Sequence, residues 1–163
     1  MLRKNPEPKT EMNSGSFAIV ASRYNAHYVD AMLRAAKAEL WRAEVSRIQI
    51  VRVPGAYEIP VVAKYLARSS TLNSPLSAII CLGVILRGET VHAAHIGEAV
   101  SRALMEIQLA HEIPVIHEVL LLESEAQARV RCLDPKHNRG TEAARAALAM
   151  ARVMKKLNSE RAV

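Results

Sequence analysis

The fold is decided by the run Ser77-Ala-Ile-Ile-Cys-Leu-Gly83-Val-Ile-Leu-Arg-Gly88-Glu-Thr-Val-His92. It begins with a continuous apolar segment, residues 78–82, which is typical of a strand buried on both faces in a parallel sheet. Gly83 and Gly88 interrupt this pattern. After His92 apolar residues recur at three- and four-residue spacing, which predicts a helix. The run therefore predicts a strand, a loop bounded by glycines and the start of a helix.

The predicted junction between this strand and this helix has the properties of an anion site. Ligands of parallel sheets bind beyond the carboxyl ends of the strands. A helix N-terminus offers unpaired N–H groups, and Gly88 lets a ligand approach the backbone. Glu89 and Thr90 are therefore candidates to bind a phosphate, and His92 beside them suits proton transfer near neutral pH. An ordinary turn with a surface histidine remains the alternative.

Composition limits the classes of function. The chain has 163 residues, so one domain is expected, and half of the residues are apolar, which is enough for a core. The net charge of +6 is scattered, so it fits an anionic small substrate as well as nucleic acid. Two cysteines predict no disulfide framework and fit a reducing cytoplasm. We find neither a secretory signal nor an apolar stretch long enough to span a membrane.

The order of the periodic patterns predicts the architecture. Strands alternate with helices, which favours right-handed crossovers and helices on both faces of a parallel sheet. We expect a three-layer α/β/α flavodoxin-like fold with a four-stranded parallel sheet, in one domain at residues 16–158. A flexible N-terminal arm at 1–15 and a short tail at 159–163 flank it. Such a short sheet leaves edges that need covering, which favours an oligomer. The predicted strands are residues 17–21, 48–53, 78–82 and 113–121.

Polar clusters follow the predicted strands, and parallel strands share one rim. We expect residues 22–25, 54–58, 83–92 and 117–118 to meet there. Tyr24 and Tyr57 are candidates to stack on a planar heterocycle. Arg131 is a candidate phosphate ligand, with Arg129 and Arg139 as rivals.

Other chemistries are less favoured. The pair His92 and His95 has helical spacing and could bind a metal together with His117, but no cysteine or carboxylate completes a familiar ligand set. The patterns of P-loop NTPases, dinucleotide-binding domains and α/β-hydrolases are absent from the sequence.

Several segments, taken in order, resemble the 6,7-dimethyl-8-ribityllumazine synthase family. The likeness covers about residues 17–157, and its two longest motifs are quite specific. The matching segments are Ser22-Arg-Tyr-Asn25, Val53-Pro-Gly-Ala-Tyr-Glu-Ile-Pro60, Cys81-Leu-Gly-Val-Ile-Leu-Arg-Gly-Glu-Thr90 with His92, Ile113-Pro-Val-Ile116 and Asn138-Arg-Gly140.

The resemblance implies an enzyme that condenses 5-amino-6-(D-ribitylamino)uracil with 3,4-dihydroxy-2-butanone 4-phosphate and uses no metal or organic cofactor. It implies His92 as the proton-transfer residue and Arg131 as a phosphate ligand from a neighbouring subunit, with Glu142 near that arginine. It also implies pentamers, alone or as a sixty-subunit shell, with no role for nucleic acid or a membrane. The implied substrate-binding residues are Tyr24, Ala56, Tyr57, Glu58, Val84, Ile85, Leu86, Glu89, Thr90, His117 and Arg131.

The chain departs from the family pattern at two places. The family usually has an aromatic-Asp-aromatic run after the histidine, where this chain has Ala93-Ala94-His95. It usually has Phe-Gly in the fourth strand, where this chain has His117-Glu118. These changes motivate an alternative, a non-catalytic flavin- or pterin-binding shell protein of the same fold. A generic phosphate-binding flavodoxin-like module is a third hypothesis.

Overall fold

The computed structural model describes residues 15–70 and 74–161. Within these ranges strands and helices alternate in the predicted order. The strands are β1 (Ser16–Ser22), β2 (Arg47–Val53), β3 (Ala78–Leu86) and β4 (Val115–Leu122). The helices are α1 (Ala26–Arg42), α2 (Ile59–Ser69), α3 (His92–His111), α4 (Glu125–Ala128) and α5 (Arg139–Arg161); a 3-10 turn (Ala56–Glu58) precedes α2 and a π-helical turn (Arg129–Leu133) follows α4.

The described residues include only part of the expected N-terminal arm and C-terminal tail. The expected arm, residues 1–15, lies outside the described residues except for Gly15. At the other end α5 continues through residues 159–161, which were expected to form a tail, and residues 162–163 lie outside the described part. In the described ranges, no helix combines the length and the apolar character needed to cross a bilayer.

All strand pairs are parallel, and the sheet has the order β2-β1-β3-β4. One apolar core joins the sheet to α1 and α5, and the other joins it to α2 and α3. The predicted three-layer α/β/α fold with four parallel strands is therefore confirmed. The predicted stripe of α1 is buried in full: Val29, Met32, Leu33, Ala36 and Leu40.

The third strand is longer than the sequence predicts. Gly83 was expected to end it, but β3 continues to Leu86, and Gly83 pairs with Val119 of β4. A side chain at Gly83 would lie 3.1 Å from Val119 and 3.2 Å from Ile59. The glycine therefore allows α2 and β4 to pack closely, and it does not break the strand.

The position of His117 and Glu118 was also predicted wrongly. Both were expected at the carboxyl end of the fourth strand, but they pair with Cys81 and Leu82 in the middle of β3. The predicted strand, residues 113–121, already extended beyond them, and β4 ends at Leu122, four residues after Glu118. These two polar residues belong to an edge strand and do not lie on the rim.

The contact between α1 and α5 depends on Gly140. A Cβ atom at this position would lie 2.0 Å from the carbonyl oxygen of Met32, which is far inside van der Waals contact. Gly140 follows the buried Asn138, whose Oδ1 accepts the Gly140 N–H at 2.8 Å. The first turn of α5 is thus held directly against the backbone of α1.

We predict that Gly140→Ala destabilises the fold by about 3 kcal/mol or more, at or above the upper end of the usual effect of overpacking, because the new methyl group meets backbone. Chemical denaturation at fixed protein concentration measures this. Gly97→Ala is the matched control. Its Cβ would lie 3.6 Å from Leu121, an ordinary contact, and alanine favours a helix interior by about 0.5–1 kcal/mol. Equal midpoints for Gly140→Ala and the unsubstituted protein would contradict the account.

Candidate active site

A cavity of about 1060 Å³ opens at the carboxyl ends of β1, β2 and β3. It gathers most of the site residues that the sequence predicts. Glu89 lies in the same loop as Thr90 but does not line the cavity, while His117 and Arg131 lie elsewhere. The predicted residues that line it are Tyr24, Ala56, Tyr57, Glu58, Val84, Ile85, Leu86, Thr90 and His92.

Hydrogen bonds from the loop after β1 tie the three strand ends together. The Tyr24 N–H donates to the Pro54 carbonyl at 2.9 Å, which joins this loop to the end of β2. Asn25 adopts a left-handed backbone, with φ of 55°, and its side-chain amide donates to the Val84 carbonyl of β3 at 2.8 Å. Asparagine tolerates this conformation better than most residues. The backbone at Tyr24 is therefore held between the ends of β2 and β3.

The 3-10 turn forms the wall of the cavity beyond β2. The Gly55 N–H donates to Glu58 Oε2 at 2.9 Å, and this bond holds the glutamate over the turn. The Tyr57 side chain is 64% exposed and Tyr24 is 74% exposed, although both rings border the cavity. Two phenol rings at the mouth of a cavity provide flat apolar surfaces for a planar ligand.

The start of α3 forms the opposite wall. His92 is the first residue of this helix, and residues 88–90 form the exposed loop before it. A Cβ atom at Gly88 would meet nothing within 4 Å, so this loop faces open space. The helix N-terminus directs partial positive charge toward that space, as an anion site requires.

A second cavity, of about 490 Å³, contains His117 and Arg131. It lies along the edge strand β4 and is lined also by Glu118, Gln127 and Arg139. Within one chain, therefore, His117 and Arg131 do not share the cavity of Tyr24 and His92. This separation follows from the position of both residues near the sheet edge.

Ion pairs distinguish the three candidate arginines. Arg139 binds Glu118 through two bonds, of 3.0 and 2.8 Å, and it also pairs with Glu142. Arg129 pairs with Glu125 at 3.3 Å. Glu142, which the resemblance places near Arg131, forms its ion pair with Arg139.

Arg131 differs from both rivals. Among residues 15–70 and 74–161, no carboxylate forms an ion pair with its guanidinium. The buried Glu118 carboxyl has its pKa raised by burial, and its Arg139 partner opposes that rise. Arg139 is thus held in ion pairs with Glu118 and Glu142. The Arg131 charge also opposes the rise in the Glu118 pKa, but within the described residues Arg131 forms no direct ion pair, so it is the more available of the two arginines of this cavity for an external anion.

The His117 imidazole is fixed between β4 and α3. The Val119 N–H donates to Nδ1 at 3.2 Å, so the proton of the neutral ring lies on Nε2. That Nε2–H donates to Ser101 Oγ at 2.7 Å, and the hydroxyl donates to the Gly97 carbonyl at 2.7 Å. In this tautomer the imidazole cannot take the serine proton, which argues against a nucleophilic Ser-His pair.

Thiol and metal chemistry find little support. Burial raises the pKa of Cys81 to about 12 and that of Cys132 to about 11, so neither is a ready nucleophile. The metal alternative joined His92, His95 and His117. In the part of the chain that the structure describes, no group of three His, Cys, Asp or Glu residues could hold a metal ion.

Sequence reasoning missed several residues of the large cavity. Asn25 lines it, and its motif position beside Tyr24 was a signal for that. His95, Ile96 and Ala99 also line it, because the cavity continues along α3 beyond the first residue. The spacing of His92 and His95 indicated a shared helix face, although we connected it only with a metal.

We predict that His117 makes stability depend on pH on the acid side. Burial lowers the pKa of its imidazole below the usual value, so the folded state favours the neutral ring. The stability that this gives is complete above the unfolded pKa of about 6.5 and is lost as the pH falls through the lower folded pKa. His117→Phe should remove this loss, as measured by urea unfolding between pH 7 and pH 5. His111→Phe, at the far end of α3, is the control and should keep it; an unchanged profile for His117→Phe would contradict the assignment.

Comparison with known proteins identifies the family of this chain. The model of the 6,7-dimethyl-8-ribityllumazine synthase family matches residues 14–155. A protein of Thermobifida fusca named 6,7-dimethyl-8-ribityllumazine synthase is 38% identical over 158 residues, which cover 96% of this chain and 89% of that protein. A protein of the same name from Thermococcus onnurineus is 41% identical, with coverage of 87% and 90%. Another, from Xanthomonas oryzae pv. oryzae, is 38% identical, with coverage of 86% and 90%. This chain therefore belongs to the 6,7-dimethyl-8-ribityllumazine synthase family.

Proposed function

We propose that this protein is a transferase of riboflavin biosynthesis that condenses 5-amino-6-(D-ribitylamino)uracil with 3,4-dihydroxy-2-butanone 4-phosphate. The observation that carries the proposal is one cavity in which Tyr24 and Glu58 face the N-terminal turn of α3 with His92. This cavity combines surfaces for a flat, polar heterocycle with an electropositive helix end for a phosphate.

The residues divide between the two substrates. Tyr24 stacks on the pyrimidine ring, and residues 56–58 hold the ring and the ribityl chain. Residues 84–86 form the apolar floor of the cavity and offer backbone contacts to the heterocycle; Val84 and Ile85 are buried there. Glu89 and Thr90 bind the phosphate through the loop before α3.

The reaction needs positioning and proton transfer. The amine attacks the ketone, and both amine protons finally leave with the carbonyl oxygen as water. Phosphate then leaves, and a second dehydration closes the ring. An imidazole at His92 can move these protons. Holding the two reactive molecules together supplies much of the rate, with effective molarities of about 10⁵ M or more.

The binding site requires a second copy of this chain. Arg131, the arginine without a carboxylate partner in the described residues, lies in a different cavity from His92. Its guanidinium reaches the phosphate when the β4 edge of one subunit faces the large cavity of the next. The same arrangement brings His117 toward the pyrimidine ring and covers an exposed sheet edge.

This arrangement favours a closed ring. We propose a pentamer, alone or as one of twelve in a sixty-subunit shell. We also propose a cytoplasmic location, because the two cysteines are free and buried, as fits a reducing compartment. Small-molecule substrates and copies of the same chain are the partners that this function requires, without nucleic acid or a membrane.

The catalytic function is favoured over a non-catalytic flavin- or pterin-binding protein and over a generic phosphate-binding module. The relatives are named as synthases, and the cavity keeps His92 beside Thr90. His117, in place of the usual phenylalanine, still offers a planar ring.

We predict that the protein forms the lumazine when mixed with both substrates, as followed by absorbance and fluorescence. His92→Ala should lower kcat by about 10²-fold without abolishing turnover, because positioning remains when general acid–base catalysis is lost. His92→Gln serves as a variant of similar polarity that cannot titrate. Binding of the amine without any product, in the unsubstituted protein, would contradict the proposed function; complete loss in His92→Ala would contradict the role of positioning.

We predict that Arg131→Ala raises KM for the phosphorylated ketone by about 10–100-fold, which corresponds to the loss of one charge-assisted hydrogen bond. KM for the amine should change little. Arg129→Ala is the matched control, because this arginine lies in the same π-helical turn but is paired with Glu125. Equal effects of the two substitutions would argue against a specific role for Arg131.

A further inference from the structure

The wall of the large cavity that α3 forms extends beyond the residues with an assigned role. His95, Ile96 and Ala99 line the cavity after His92. Ile96 and Ala99 are apolar, so His95 is the residue of this stretch that can carry a proton. No step described above uses it.

His92 and His95 lie on the same side of α3. They are three residues apart in a continuous helix, and such positions bring Cβ atoms to about 5–6 Å from each other. The His95 N–H donates to the Val91 carbonyl at 3.2 Å, which fixes this residue in the first turn. Both side chains are exposed and both line the cavity. Two imidazoles in this arrangement can exchange a proton directly or through one water molecule.

His95 also borders a smaller cavity, of about 340 Å³. Ala99 also lines both cavities. The other residues that line the smaller cavity lie on the outer side of α3. His95 therefore lies at the boundary between the substrate cavity and a separate groove on the outer side of α3. Residues of α3 form that groove: His95, Glu98, Ala99, Arg102, Ala103 and Glu106.

The charged groups around His95 leave its imidazole available. On α3, Glu98 pairs with Arg102 at 3.1 Å, and Glu106 lies further along the groove. Across the cavity, Glu58 accepts the Gly55 N–H, and the other titratable groups are the phenols of Tyr24 and Tyr57. Within the described ranges, neither His92 nor His95 is held in an ion pair with a carboxylate.

We propose that His95 is a proton shuttle that restores the protonation state of His92 during each turnover. His92, as imidazolium, gives a proton to the oxygen of the carbinolamine, the C–O bond breaks and water leaves. His95, as imidazolium, then returns a proton to His92 and takes another from solvent through the outer groove. The amine proton released on formation of the imine returns to solvent, so no net proton is consumed.

The need for a shuttle follows from the position of His92. His92 shares its cavity with the bound substrates, and one turnover requires several proton transfers. His95 faces both the cavity and the outer groove, so it can exchange protons with solvent through the groove. This inference rests on the proposed function, and it makes His95 a residue that acts through His92.

The test compares His95→Ala and His95→Gln with the unsubstituted protein under saturating substrates. We expect kcat to fall about 10-fold in both, below the 10²–10⁴ of a direct acid–base group, with KM values within about twofold. In weak buffer the rate of His95→Ala should rise with added imidazole, which replaces the missing proton carrier. His111→Ala, at the other end of α3, should keep the unsubstituted rate and show no such rise.

Two results would overturn the inference. One is an unchanged kcat in both His95 variants; the other is a lowered kcat that added imidazole does not raise, which indicates a structural role only. Since His95→Gln retains a polar side chain of similar reach, it also tests the loss of kcat if His95→Ala assembles poorly. An unsubstituted protein that forms no product would instead reject the proposed function, so the two failures are distinguishable.

Discussion

The hydrogen bond from the Asn25 side chain to the Val84 carbonyl is the contact on which the site depends most. It joins the loop after β1 to the end of β3, while the Tyr24 N–H joins the same loop to Pro54 after β2. Three strand ends are thereby held in one arrangement, with the Tyr24 ring facing the start of α3. Each of these bonds has a backbone carbonyl as its acceptor, and the one side chain involved, that of Asn25, is short.

The proposed site combines charged groups from two separate cavities of the chain. The large cavity holds His92 and the N-terminus of α3, and the cavity along β4 holds Arg131. Glu118 and Glu142 form their direct ion pairs with Arg139, and within the described residues Arg131 forms none. A guanidinium in this position beside an edge strand is better suited to contact another molecule than to stabilise its own subunit.

Much of the fold followed from sequence, because long apolar runs and helix stripes depend on burial alone. Gly83 was read wrongly, since a glycine in a strand and a glycine that ends one look alike until the packing of Ile59 and Val119 is known. His117 was misplaced because it was grouped with the polar clusters of the strand ends, although the predicted strand continued beyond it. Arg131 could not be separated from Arg129 and Arg139, since that choice depends on ion pairs with distant carboxylates. The place of His95 in the cavity could not be predicted, because only the structure shows that the cavity extends along α3 beyond His92.

The central claim, that His92 of one subunit and Arg131 of the next serve one site, is tested most directly by co-assembling His92→Ala chains with Arg131→Ala chains. The measurement is lumazine formation at a low concentration of phosphorylated ketone. In a ring with equal numbers of both chains, about one quarter of the interfaces combine an intact histidine with an intact arginine. The account predicts activity near a quarter of that of the unsubstituted protein. Activity no higher than the mean of the two separate variants would contradict it.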